Sequence, residues 1–247
     1  LDSFGFGGLM QSRLKGSRAS SKNLALGLVE MSADFINAYI LGSVGRTGHV
    51  VGACATFLYN LRQGINDIKS GKYKIAIVGA SEAPLTPEVI EGYRKMGALA
   101  EDEALAKIDK IDTKNVNHRL ACRPFGENCG FTLSEGSQFI ILFDDELALE
   151  LGAEIYGSVA DVFVNADGFK KSIPGPGVGN YMTVGKAMGL IRSILGTESL
   201  RNRSYMQAHG TSTPQNRVTE SHIFNELAKA FAIKEWPITA IKAYIGH

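Results

Sequence analysis

Three short frames of small residues confine what this chain can fold into: GACATF at 52–57, HGTSTP at 209–214 and KAYIGH at 242–247. Ahead of the first frame, GHVVGA reads as a β-branched strand over 48–52. After it, ATFLYNLRQGINDIKSG carries Leu58, Leu61, Ile65 and Ile68 at helical spacing. Cys54 is thereby expected where a strand turns into a helix. The second frame repeats the arrangement, with a strand over 204–208, a Gly/Thr/Ser turn and a helix over 217–231. There His209 stands at a strand end, from which a side chain projects into a cleft while its backbone stays fixed. The third frame closes an alternating run, WPITAIKAYIGH. A strand is expected over 238–243, with Lys242 near its end and His247 behind Gly246.

Each frame has a bland and a chemical reading. A cysteine between Gly and Ala can be a small buried hydrophobe. At a helix start, however, unpaired N–H groups and the positive end of the dipole favour thiolate, the attacking form. His209 can close an ordinary βα turn, and Lys242 can cap a strand in solvent. One thiol and two imidazoles, each held by a tight turn, suggest chemistry at carbon–sulfur acyl bonds.

Further elements are expected as a helix over 54–69, a strand over 73–80, a helix over 87–96, strands over 131–143 and 153–165, and a helix over 181–195. Strands alternating with helices point to an α/β layered fold. With 26 Lys and Arg against 25 Asp and Glu, the chain has no basic field for nucleic acid. No apolar run approaches the ~20 residues of a membrane span, and the first residues lack a signal-peptide layout. The three cysteines, Cys54, Cys122 and Cys129, have neither metal-ligand nor disulfide spacing, and their odd number together with the expected reactive thiol favours a reducing, cytoplasmic setting.

The three frames, in this order, resemble segments of the β-ketoacyl synthase family. GACATF is similar to its nucleophile segment, HGTSTP to its HGTGTP segment, and KAYIGH to its Lys-x-x-x-Gly-His segment. Between them, CRPFGENCGFTLSEGSQFIIL at 122–142 resembles the family's RPFD…GFV.GEGA…VL stretch, and ELALELGAEIYGSVADV continues it in register. The resemblance runs over nearly the whole chain.

That resemblance implies a thiolase-like layered fold of two related halves, here approximately 1–150 and 151–247, with helices between sheets. It implies an acyl-accepting nucleophile at Cys54. His209 and His247 become the pair that binds the thioester carbonyl of a malonyl extender and stabilises the enolate left by loss of carbon dioxide. Lys242 supports that pair, with Glu220, Thr211 and Thr213 around it. The Cys-His-His pattern resembles elongating condensing enzymes, as opposed to initiating Cys-His-Asn synthases and to chain-length partners lacking the cysteine. Acyl carrier protein bearing acyl and malonyl thioesters is the implied partner. A homodimer is expected, with the YKIAIVGASEA strand at the interface or buried in its own sheet, and no cofactor or metal. The chain is also expected to be incomplete at both ends, since the family's Gly-Phe-Gly-Gly loop after the final histidine is missing and GFGGL at 5–9 is a different loop.

Departures from the family pattern mark a divergent branch. Arg217 stands where an acidic residue is usual, so Glu220 is expected to act alone beside Lys242. Tyr244 replaces a small polar residue, Asn128 and Cys129 replace a stretch that more often carries Arg, and 101–118 is longer and more charged than the usual connection. GPGVG within SIPGPGVGN follows no strand–helix dinucleotide unit and reads as a substrate-side loop. Asp144, Asp145 and Glu146 read as a solvated turn before a helix. RLKGSR at 13–18 reads as a solvent-facing loop or as a contact for an acidic carrier. Two rival functions stand beside condensation: a cysteine-dependent thioester hydrolase, which needs no second histidine, and a non-catalytic acyl- or carrier-binding subunit.

Overall fold

Helices outnumber short strands among the described elements of the computed structural model, which describes residues 6–18, 20–168 and 177–247. In chain order they are α1 (Phe6–Leu14), α2 (Ser21–Ala25), α3 (Met31–Ile36), α4 (Thr56–Lys69), β1 (Ile75–Glu82), α5 (Pro87–Lys95), α6 (Asp102–Asp109), β2 (Gly136–Phe143), α7 (Asp145–Glu150), α8 (Val178–Asn202), β3 (Met206–Gln207), α9 (Pro214–Ala230), β4 (Ile238–Thr239) and α10 (Lys242–Ile245). They divide between two compact units. One comprises Leu1–Ile90 and Glu135–Val162, and the other Glu91–Ser134 and Phe163–His247.

In the first unit β1 and β2 pair antiparallel, from Ile75 opposite Phe143 to Glu82 opposite Gly136. Helix α4 buries Leu61, Gly64 and Ile65, a stripe at helical spacing, against Val78 of β1. A Cβ on Gly64 would lie 2.8 Å from Val78 Cγ1, so this close approach of helix and strand needs glycine. Ala76, Ile140 and Leu142 complete the covered face, while Ile75, Ile77 and Ile141 alternate to the other side and are exposed. The acidic cluster is the turn the sequence suggests: Asp144 caps α7 by accepting from the Leu147 amide, and Lys74 Nζ lies 3.3 Å away.

The second unit is built on a β–α–β crossover. Strands β3 and β4 are parallel, Met206 opposite Ile238, and α9 connects them. Met188 and Leu200 of α8 pack with Ile223, Phe224 and Leu227 of α9 and Ala208 after β3, and the Phe224 ring lies edge-on to Trp236. The charged 101–118 connection is folded: α6 buries Leu105 completely, and its N-terminal end pairs with Arg94 through Glu101 and with His118 through Asp102.

Several expected elements differ. Residues 48–52 and 153–165 carry no strand. The Val50 amide donates to Asn60 Oδ1 and the Ala160 carbonyl accepts from Lys69 Nζ, so side chains take groups that a ladder would use. The 131–143 strand starts only at Gly136. Phe131 makes a single bridge to Leu99, where Gly130 passes so close that a Cβ would lie 2.3 Å from the Leu99 carbonyl carbon. The 238–243 strand stops at Thr239, and Lys242 opens the one-turn helix α10. Helix α8 runs beyond the expected 181–195 at both ends, with a kink at Gly196, φ 84. Most of the SIPGPGVGN loop, and part of GFGGL, lie outside the described residues.

Candidate active site

Cys54 sits in the first unit, in the 3-10 turn Ala53–Ala55 that leads directly into α4. Turn and helix are as the sequence implies; the strand before them is not. Ala53 has φ 48, a left-handed conformation that costs an L-residue roughly 1–2 kcal/mol. Its surroundings impose it. Thr56 Oγ1 receives the Gly52 amide at 3.0 Å and donates to the Ala53 carbonyl at 2.7 Å, and a Cβ on Gly52 would strike the Tyr59 ring at 2.5 Å. The turn is thereby locked, with Cys54 exposed at its crest and none of the three cysteines in a disulfide.

The second unit gathers His209, His247, Lys242, Glu220, Thr211 and Thr213. His209 and Lys242 follow the carboxyl ends of β3 and β4, the edge at which parallel sheets bind ligands. Gly210, at φ 53, threads between Ala240 and Pro124; a Cβ there would lie 2.4 Å from Ala240 Cβ. Glu220, 9% exposed on α9, accepts the backbone amides of His209 at 2.8 Å and Gly210 at 2.7 Å. A buried carboxylate satisfied by two N–H groups is a strong clamp on the turn. Thr213 caps α9 by accepting the Asn216 amide, Pro214 occupies the first turn, and the Thr211 amide donates to Asn216 Oδ1 at 3.0 Å. The two threonine hydroxyls lie 3.0 Å apart.

Lys242 Nζ is 2.8 Å from the His209 carbonyl oxygen and 3.1 Å from its Nδ1. An ammonium has only donors, so Nδ1 accepts and the ring proton is left on Nε2. His247 is held by its backbone: its amide donates to the Thr132 carbonyl at 2.7 Å and its carbonyl accepts the Ser134 amide at 2.9 Å. The two imidazole centroids stand 5.2 Å apart at 82°, and the Phe131 ring packs edge-on against His247 at 4.9 Å.

Burial, then the Lys242 ammonium and then His247 lower the His209 pKa from 6.5 to about 4; burial followed by Lys242 lowers that of His247 to about 4. His209 as a whole residue is exposed to solvent. Its nitrogen side is nonetheless walled by Lys242 and His247, and that crowding sets the direction of the shift. Near neutral pH both rings are uncharged, and His209 presents an Nε2–H donor.

Among the divergent positions, Arg217 Nη1 donates to the Gly126 carbonyl at 2.7 Å, tying α9 to the 122–130 loop. Asn128, 7% exposed, donates to the Arg123 carbonyl at 3.0 Å, and Tyr244 is almost fully exposed. Arg123 itself forms a two-pronged pair with Asp109, at 2.6 and 2.7 Å, which lowers the Asp109 pKa. Sequence reasoning missed Arg123, Asp109, Asn216 and Ser212. Two of them left a signal: Arg123 stands in the CRPF run that resembles the family's RPFD, and Ser212 is the serine in HGTSTP where HGTGTP has glycine.

Comparison with known proteins matches residues 11–148 to the β-ketoacyl synthase N-terminal domain and 156–247 to the C-terminal domain. The chain is 62% identical over all 247 residues to the β-ketoacyl-[acyl-carrier-protein] synthase FabY of Pseudomonas aeruginosa, and spans 39% of that protein's length. It is 30% identical to the 3-oxoacyl-[acyl-carrier-protein] synthase 2 of Synechocystis, covering 94% of this chain and 51% of the relative. The crystal structure of the noncanonical ketosynthase FabY from P. aeruginosa superposes with a TM-score of 0.95 at 62% identity, covering the whole of this chain and 38% of that one. A type II polyketide ketosynthase in complex with its acyl-carrier protein matches with a TM-score of 0.74 at 26% identity, over 93% of this chain and 52% of that one. The chain belongs to the β-ketoacyl synthase family, with the thiolase-like α/β fold of its ketosynthases.

Proposed function

We propose that this chain supplies the catalytic residues of a β-ketoacyl synthase that condenses an acyl group on Cys54 with malonyl-acyl carrier protein. The observation that carries the reading is the imidazole pair of the second unit: two neutral rings 5.2 Å apart, with the His209 proton directed to Nε2 by Lys242. A lone general base needs no such partner; a developing thioester enolate does, because its charge sits on oxygen and two N–H donors meet it.

In the proposed first half-reaction the Cys54 thiolate attacks an acyl thioester, the tetrahedral oxyanion is met by backbone N–H at the turn before α4, and the carrier thiol leaves. In the second, the bond from the malonyl α-carbon to its carboxylate breaks, carbon dioxide leaves, and the electron pair enters the enolate held by His209 and His247. That carbanion attacks the acyl carbonyl. Collapse expels the Cys54 thiolate and releases a 3-ketoacyl thioester longer by two carbons. One well-placed donor in such a hole is worth about 3 kcal/mol of barrier.

In this reading the approximate halves 1–150 and 151–247 carry the nucleophile and the decarboxylating pair respectively, the protein works as a cytoplasmic homodimer, and the carrier delivers both thioesters. The name of the Pseudomonas relative and the carrier-bound polyketide ketosynthase support the choice of partner. Intact-mass spectrometry tests it. Incubation with acyl and malonyl carrier protein is expected to give acylated Cys54 and a carrier mass extended by the ketoacyl unit, with Cys54→Ala losing both. Release of free acid without a ketoacyl product would assign the chain to thioester hydrolysis instead, and absence of Cys54 labelling by iodoacetamide or acyl carrier would assign it to a binding role.

A further inference from the structure

Two residues other than glycine stand in the left-handed region on either side of one contact: Ser212, φ 69, in the turn after His209, and Phe125, φ 62, in the 122–130 loop. Such conformations persist only where the surroundings hold them. Here the hold is continuous over four residues of the loop. The Arg123 amide donates to Ser212 Oγ at 2.6 Å, and Ser212 is fully buried. Pro124 fills the space in front of Gly210, where a Cβ would lie 3.2 Å from Pro124 Cβ. The Phe125 ring packs 6.5 Å from that of Phe224, and the Gly126 carbonyl accepts Arg217 Nη1 at 2.7 Å. The segment 123–126 is thereby laid along the residue that follows His209 and along α9.

The opposite side of this segment is fastened by the Arg123 side chain. Its two terminal nitrogens donate to the two oxygens of Asp109 at 2.6 and 2.7 Å, and its Nε donates to the Leu120 carbonyl. A fork of this kind fixes direction as well as distance. Asp109 is the last residue of α6, which is anchored by the buried Leu105 and Ala106. The His118–Asp102 pair, at 2.9 Å, ties the far end of the charged connection back to the first turn of the same helix. All of these residues belong to the second unit. We propose that Asp109 and Arg123 are positioning residues: they brace the charged 101–118 connection against the turn that carries His209, and do not touch substrate. The proposal rests on the reading of His209 as one of the two decarboxylating donors. It gives the connection a task in the chemistry, which is to hold the Arg123 backbone where Ser212 and Gly210 meet it.

The test uses the full-length protein and separates the half-reactions. In Asp109→Ala, the kcat for carbon dioxide release from malonyl carrier protein should fall roughly five- to tenfold with KM unchanged, well short of the roughly hundredfold loss that a full ångström of misplacement can cause. Acylation of Cys54 by acyl carrier protein should stay at the wild-type rate. Arg123→Lys keeps the charge and stem but cannot form the fork, so it should show the same split and serves if Asp109→Ala does not fold. Asp109→Glu, which keeps a two-oxygen acceptor, should recover most of the loss. Glu101→Gln loosens the other end of α6, at its pair with Arg94, and should leave both half-reactions unchanged. Wild-type decarboxylation in both Asp109→Ala and Arg123→Lys, an equal loss in Glu101→Gln, or a parallel fall of acylation and decarboxylation overturns the proposal. If the wild-type protein itself releases no carbon dioxide, the functional reading fails, and amide hydrogen exchange decides the brace by itself. The amides of Arg123, His209 and Gly210 should then exchange at least tenfold faster in Asp109→Ala than in Glu101→Gln. Equal exchange overturns it.

Discussion

Replacing Lys242 by methionine removes the ammonium that lies 3.1 Å from His209 Nδ1 and 2.8 Å from its carbonyl, while keeping a long apolar stem. Two consequences follow. Without a cation donating to Nδ1, the neutral ring is free to carry its proton on either nitrogen, so the fraction presenting Nε2–H falls. The His209 pKa also rises from about 4, but stays below 6.5, because burial is its first cause and Lys242 its second. At pH 7 the ring remains mostly neutral, so the loss is one of orientation and tautomer. A charge-assisted hydrogen bond is worth about 1.5–3 kcal/mol, and with 1.36 kcal/mol per decade in rate this is roughly a ten- to hundredfold fall in decarboxylation. The assay is carbon dioxide release from malonyl carrier protein at pH 7, run beside intact-mass measurement of Cys54 acylation, which should change little. Wild-type release in Lys242→Met, or ring nitrogen NMR placing the wild-type His209 proton on Nδ1, would refute the reasoning.

Decarboxylation in the wild-type protein should keep its rate well below pH 6.5 and show its acid limb near 4, because both rings are lowered to about 4; a limb at 6.5 in the pH–rate profile would contradict the burial argument. Stability should follow the same groups: between pH 6.5 and about 4 the unfolded chain binds protons that the folded chain refuses, so stability falls as pH drops through that window and levels off below it. Denaturant titrations at pH 7 and pH 4 should differ by about 3 kcal/mol from this pair, allowing for solvent screening of the exposed His209 edge. Glu220→Gln replaces a charged acceptor of two amides by a neutral one and should lower stability by about 1–3 kcal/mol, read as a fall in melting temperature. Gly64→Leu, which sets a side chain against Val78 where a Cβ alone would be 2.8 Å away, should cost about 1–3 kcal/mol or more in the same measurement.

Much of the fold and of the site is legible in the amino-acid sequence because the signals are local. Leu61 and Ile65 fall on one face of α4, the helix expected over 217–231 is α9, which begins three residues earlier at Pro214, and a cysteine and two histidines in small-residue frames resemble one family. Strands are less legible. GHVVGA at 48–52 and the 153–165 run have the composition of strands, but a strand exists only with a partner. Here Asn60 and Lys69 side chains take the groups that a partner would have bonded. The last turn illustrates the same limit from the other side: Ile238 and Thr239 pair with β3, whereas Lys242, in an equally alternating run, leaves the ladder to form α10 and reach His209.

The amino-acid order by itself determined which residues could do chemistry, since nucleophilicity, donor count and glycine's backbone freedom belong to each residue and its neighbours. Folding decided their states. The Nε2 tautomer of His209 depends on an ammonium 33 residues away, the neutrality of both imidazoles depends on what crowds them, and the left-handed turn at Ser212 is joined to the 122–130 loop by the Arg123 amide on its hydroxyl. Protonation, tautomer and spacing are energies of contact between distant parts of the chain, and no local pattern of residues encodes them.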